Sequence, residues 1–168
     1  MNSSQAAAVT YLEMRSAEEL CPKQNSDRLF QIQERPPGRW DINRSLYLDI
    51  GKSWQWNDKR HWTDDEWRSY AESKNLRTFI ACRDEKIVGY FELQKDDENQ
   101  IEIAYFGLIP EYCGRGLGGA MLTSALQLAW QANPTRVWVH TSTNDHDAAL
   151  PNYLARGFKI YKTESHAT

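Results

Sequence analysis

Cysteine is scarce in this chain of 168 residues: Cys21, Cys82 and Cys113 are far apart, odd in number and form no C-x-x-C. That excludes a disulfide framework and leaves no basis for a zinc site. No run approaches the roughly 18 apolar residues of a membrane span, and the opening MNSSQAAAV has neither the charged nor the apolar region of a signal peptide. These absences predict a soluble protein of the reducing cytoplasm with no membrane partner. Positive charge is also short, with 20 Lys and Arg against 23 Asp and Glu and a net charge of −3. A nucleic-acid binder would show a basic face or a pI above about 9, so a small-molecule partner is the better expectation. Internal repeats and low-complexity tracts are absent too, and the length suits one compact domain.

What is present is uneven. Residues 1–8 are small and polar and are expected to be disordered. VTYLEM (9–14) and LFQIQE (29–34) alternate like half-buried strands, and Pro36, Pro37 and Gly38 then break any regular element. Five of the seven tryptophans fall between Trp40 and Tyr70. INRSLYLDI (42–50) predicts a short helix ended by Gly51, and Thr63 with Glu66 reads as a capping box opening a second helix. Asp64 and Asp65 are expected to serve the dipole of that helix rather than chemistry. From Arg77 onward, RTFIACRDEKIVGYFELQ alternates on both sides of Asp84 and Glu85 and predicts a β-hairpin. IEIAYFGLI (101–109) follows as a central strand, apolar on both faces apart from Glu102. A helix with Leu117, Met121, Ala125 and Leu128 on one stripe comes next, then the strand VWVHTS (137–142). A short helix through Tyr153 stops at Gly157, and a last strand closes the chain.

Between the central strand and its following helix stands YCGRGLGGA (112–120), with Gly114, Gly116, Gly118 and Gly119 in six positions. Bare backbone N–H groups at a helix N-terminus suit a pyrophosphate, whether of a dinucleotide or of coenzyme A. A dinucleotide fold places such a loop after its first strand, with an acid about 20 residues on. Here the loop follows several strands, and Val139 stands at that distance from Gly119. A Walker loop needs Lys and then Ser or Thr where Ala120 and Met121 stand.

The order of strand, glycine loop, helix, strand and NYLARGF resembles the GNAT superfamily of N-acetyltransferases over about residues 77–162. Their acetyl-coenzyme A signature, Gln or Arg, two residues, Gly, one residue, Gly or Ala, falls on Cys113, Gly114, Arg115, Gly116, Leu117 and Gly118, with Gly119 just after. Cys113 departs from the usual Gln or Arg. Tyr153 stands four residues before Gly157-Phe158, as the family commonly has it, and His146 replaces a common Asn near the pantetheine arm. The resemblance implies an α/β (α+β) fold with a mixed, mostly antiparallel sheet flanked by helices in one domain, residues 9–168. Residues 9–76 would form the acceptor side and 77–162 the acetyl-coenzyme A core. It also implies backbone N–H groups of Gly107, Leu108 and Ile109 at a splay between strands, where Gly107 favours a bulge.

Acetyl transfer needs a neutral amine, a polarised carbonyl and a protonated leaving thiolate. Tyr153 is the candidate acid, against the plainer reading of a tyrosine packed under the Gly-Phe turn. Glu102 is the first candidate base and His140 the second, each with a structural alternative, and Glu92 is the third. Trp54 and Trp56, two apart, would share a face of an extended segment and form an acceptor pocket with Trp62, Tyr105 and Glu92; the alternative is that these rings close the core. The expectation is an acetyl-coenzyme A-dependent enzyme without metal, acting on a small amine as monomer or homodimer. A protein or peptide acceptor, or a coenzyme A-binding module without turnover, is the runner-up.

Overall fold

The computed structural model describes residues 7–166. Seven strands form one sheet: β1 (Ala7–Met14), β2 (Phe30–Glu34), β3 (Leu76–Arg83), β4 (Lys86–Lys95), β5 (Gln100–Leu108), β6 (Arg136–Ser142) and β7 (Lys159–His166). Their order is β2-β3-β4-β5-β6-β1-β7. Every neighbouring pair is antiparallel except β5 with β6, which run parallel and pair only over Gln100–Glu102 and Arg136–Trp138. The four helices are α1 (Trp40–Trp54), α2 (Asp64–Ala71), α3 (Leu117–Gln131) and α4 (Ala149–Ala155).

Side-chain alternation assigns the two faces. Phe79 and Ala81 of β3 point into the larger core with Met121, Leu122 and Leu126 of α3, while Ile80 points to Leu46 and Ile50 of α1. The larger core continues under Leu12, Val137 and Val139, but the smaller one covers only β3 to β5. The other face of β6, β1 and β7 therefore carries a row of Trp138, His140, Tyr11 and Tyr161 with ring centroids 5.6–6.5 Å apart. The hairpin at Asp84 and Glu85 forms as expected, both residues taking positive φ (52° and 67°), the twist a two-residue connection requires.

Four expectations change. The first six residues of the stretch expected to be disordered lie outside the described residues, but Ala7 and Ala8 belong to β1, paired with His166 and Ser165. That strand lies between β6 and β7 in the sheet. The first helix is longer than 42–50 and runs through Gly51, because a Cβ there would stand 2.7 Å from Trp56 Cβ: the glycine admits the returning chain instead of ending the helix. The cap at Thr63 forms one way, its side chain accepting from Glu66 N–H at 3.2 Å. The bulge in β5 falls at Ala104, between the pairs Tyr105–Glu92 and Ile103–Leu93, not at Gly107. Gly107 is bare because Ile50 Cγ2 lies 2.8 Å from where its Cβ would be. No helix among the described residues is long and apolar enough to cross a membrane.

Candidate active site

The parting of β5 from β6 after Glu102 opens the fold. A cavity of about 920 Å³ runs from the glycine loop, past Tyr153, to Glu102, His140 and an aromatic end at Trp54 and Trp56. Two parallel strands that diverge leave one edge of β5 unpaired. Ile109 N–H donates to Val88 O at 2.8 Å, on the β4 side. Alternation then turns the N–H groups of Leu108 and Phe106 to the open edge and that of Gly107 back toward β4. Of the three backbone donors expected there, Leu108 faces the cavity and Ile109 is already engaged.

At the loop, Gly114 and Gly116 have φ of 77° and 79°, conformations that L side chains rarely adopt, and α3 starts with no side-chain cap and no acid in its first turn. The loop carbonyls are tied down elsewhere: Gly116 O accepts from Lys23 Nζ (3.1 Å), Gly118 O from Asn152 Nδ2 (3.1 Å) and Gly119 O from Thr123 Oγ1 (2.8 Å). This leaves the N-terminal N–H groups of α3 for an anion. Gly114, Gly116, Gly118, Gly119 and Cys113 line the cavity; Leu117 is instead buried in the core, and Arg115 lies over the Tyr112 ring away from it. Burial raises the Cys113 thiol above its usual pKa, so it adds no charge. These residues fit the pyrophosphate of coenzyme A through backbone rather than side chain.

Tyr153 is held at one place on the wall by edge contacts with Phe106 and Phe158, at 6.2 and 5.9 Å between centroids. Its hydroxyl has no hydrogen-bond partner among the described residues, and burial raises its pKa above the usual tyrosine value. Further along, His140 Nδ1 donates to Glu102 Oε1 at 3.3 Å. That hydrogen bond, opposed by partial burial, raises His140 above its ordinary pKa. Adjacent parallel strands thus bring together the first and second candidate bases. Glu92 is separate: it is fully buried, does not line the cavity, and reaches it through Tyr70, whose hydroxyl donates to Oε2 at 3.1 Å. Burial pushes its carboxyl up to about 7.

The aromatic end of the cavity differs from the extended pair of tryptophans expected. Trp54 ends α1 and Gln55 follows in the left-handed region, yet Trp54 and Trp56 both reach the cavity wall. Trp54 meets His146 edge-on at 4.9 Å, joining this aromatic end to the loop before α4. Trp62 stands behind the wall against Tyr70, and Tyr105 lies on it. Lys59 was not foreseen. Its ammonium lies 4.8–5.0 Å from the ring centroids of Trp62, Tyr70 and Tyr105 and donates to Asp58 Oδ2 at 2.8 Å. Burial would raise the Asp58 carboxyl, but hydrogen bonds from Lys59, Tyr105 and Tyr47 outweigh it and hold the pKa below its usual value. Lys23, Asn152 and Arg156 were also missed; Arg156 had a signal in its place before Gly157-Phe158, whereas Lys23 had none.

Compared with known proteins, residues 27–158 match the model of the acetyltransferase (GNAT) family. An uncharacterized N-acetyltransferase of Mycobacterium tuberculosis is 32% identical over 96 residues, which are 57% of this chain and 61% of that relative. The match thus spans less than two thirds of the relative's length. A GCN5-related N-acetyltransferase from Sphaerobacter thermophilus superposes with a TM-score of 0.74 at 14% identity, covering 95% of this chain and 50% of that one. An aminoglycoside acetyltransferase from an uncultured soil metagenomic sample gives 0.65 at 16% identity, covering 79% and 90%. Likenesses of such low identity establish a common fold.

Proposed function

Because the chain belongs to the acetyltransferase (GNAT) family, we propose that it moves the acetyl group of acetyl-coenzyme A to the amine of a small molecule. The observation that carries this reading is the single cavity joining an uncapped helix N-terminus, an unpartnered tyrosine hydroxyl and a carboxylate–imidazole pair. Acetyl-coenzyme A supplies the activated thioester. Leu108 and Phe106 N–H groups at the open edge of β5 are placed to polarise its carbonyl. Glu102 and His140 take the proton that an alkylammonium, with a pKa of about 10, must lose before attack. Tyr153 donates to the departing thiolate. Glu102 is preferred to Glu92 because it lines the cavity itself.

The test is acetyl-coenzyme A-dependent thiol release across aromatic amines, polyamines, aminoglycosides, amino acids and short peptides, with a control lacking acceptor. Release with a small amine supports the reading. Release with peptides alone would move the acceptor to protein, and retained coenzyme A binding without release would favour a non-catalytic module.

Two substitutions probe the acceptor end. Trp54→Ala removes a ring from the wall and its contact with His146, so the acceptor KM should rise about tenfold while that for acetyl-coenzyme A holds; equal rises in both would mean a general collapse. Glu102→Gln takes away the carboxylate that raises His140. The active form is the one that has released the shared proton, so the ascending limb of kcat/KM against pH lies above the ordinary histidine value of about 6.5 in the native protein. In the variant the limb should move down toward that value while the plateau falls by about 100-fold. An unchanged limb and plateau would remove Glu102 from this role.

A further inference from the structure

The connection from β1 to β2 has a long way to go, since the sheet order places these strands far apart. It crosses the face that carries α3 and α4 and is pinned twice on the way. Cys21 N–H donates to Arg156 O at 2.8 Å, and Lys23 N–H donates to Thr123 Oγ1 at 2.9 Å. Lys23 is thereby laid across the start of α3. If Gly119 carried a Cβ, it would stand 2.6 Å from Lys23 Cδ and 2.6 Å from an Arg156 guanidinium nitrogen. Glycine at 119 is what allows both cations to pass over the helix N-terminus.

Both side chains line the cavity. Neither has a carboxylate partner within 4.0 Å among the described residues, whereas ten other pairs there do form. Arg156 Nε is buried without any hydrogen-bond partner. A buried, unpaired guanidinium nitrogen stands beside a lysine whose ammonium meets only the Gly116 carbonyl and beside an uncapped 15-residue helix, so three sources of positive charge face the cavity with no carboxylate among the described residues to pair them. The glycine loop does not explain it, because Arg115 lies away from the cavity and Cys113 is a neutral thiol.

We propose that Lys23, on the connection between β1 and β2, and Arg156, at the end of α4, are phosphate-binding residues that grip a phosphorylated donor over the N-terminus of α3. This rests on the reading of that donor as acetyl-coenzyme A. The two cations do what a cationic residue at the head of the loop would otherwise do, and they do it from segments remote in sequence. Arg156 offers a planar fork to phosphate oxygens and Lys23 a mobile point charge that can leave Gly116 O when an anion arrives.

The experiment is calorimetric titration of the full chain with coenzyme A, and separately with inorganic pyrophosphate, at low and moderate salt. Lys23→Met keeps the stem over Gly119 and the backbone bond to Thr123. It should weaken coenzyme A by at least about tenfold and flatten the salt dependence. Arg156→Met should do the same, and Lys23→Arg should recover most of the affinity, with melting temperatures of all three near that of the native chain. Native affinity in both methionine variants would overturn the proposal and leave Lys23 a tie for the loop. If the native chain binds pyrophosphate but not coenzyme A, the donor reading fails. The proposal then still stands if Lys23→Met abolishes pyrophosphate binding, and it falls if that binding is unchanged. Binding of neither probe by the native chain overturns both.

Discussion

Tyr153→Phe is expected to lower kcat by about 100-fold or more while the KM for acetyl-coenzyme A stays within about twofold. The size of the effect follows from what the substitution leaves intact. The ring is packed against Phe106 and Phe158 and is nearly buried, so phenylalanine keeps the wall and the fold. Only the hydroxyl is lost, and it has no partner among the described residues that its removal would orphan. Burial raises its pKa above 10, so the group stays protonated across any practical assay range. A phenol is still able to donate to a thiolate whose acid has a pKa of about 8.5, through a hydrogen bond that strengthens as the thiolate forms. Steady-state kinetics with varied acetyl-coenzyme A would test this. Unchanged turnover would return Tyr153 to a packing role under the Gly-Phe turn, and a raised coenzyme KM with unchanged kcat would make it a binding residue.

The largest expected loss of stability is at Gly157. It sits just past α4 at φ 109°, and an added Cβ would lie 2.1 Å from Glu19 O and 3.1 Å from Glu19 C. Those are backbone atoms in a short helical turn closed by a capping box between Ser16 and Glu19, so they cannot swing aside as a side chain would. Gly157→Ala should therefore cost more than about 3 kcal/mol, read as a fall in the urea midpoint, since strained φ and overpacking act together. Gly114→Ala is the contrast: its φ of 77° is also unfavourable, but nothing lies within 4 Å of the added carbon. That change should cost only about 1–2 kcal/mol. Equal costs at the two positions would show that backbone strain alone, not the packing of Glu19, decides Gly157. Because the turn at Glu19 leads into Lys23, the Gly157 variant should also lose affinity for coenzyme A beyond its loss of stability.

Much of the candidate site was legible because its signals are local. The glycine loop, the tyrosine four residues before Gly157 and the apolar alternation of β3 to β5 each depend on residues within a few positions. Physical rules for turns, caps and strand faces act at that range. Gly51 shows the limit: as a helix terminator it made local sense, yet its actual role is to admit Trp56, a contact visible only after the chain has turned back. Gly107 was misread for the same reason, its partner being Ile50.

The sequence by itself determined the order of elements, the glycine loop and the family likeness, since these are written in spacing and backbone chemistry. Tertiary structure decided that β1 threads between β6 and β7, that β5 and β6 part after Glu102, and that Glu102 meets His140. It also decided that Lys59 is caged by three rings and that Lys23 reaches Gly116, 93 residues away. A lysine on an irregular connection has no period, cap or turn to announce it. Its position is fixed only by which distant surfaces the sheet order forces that connection to cross.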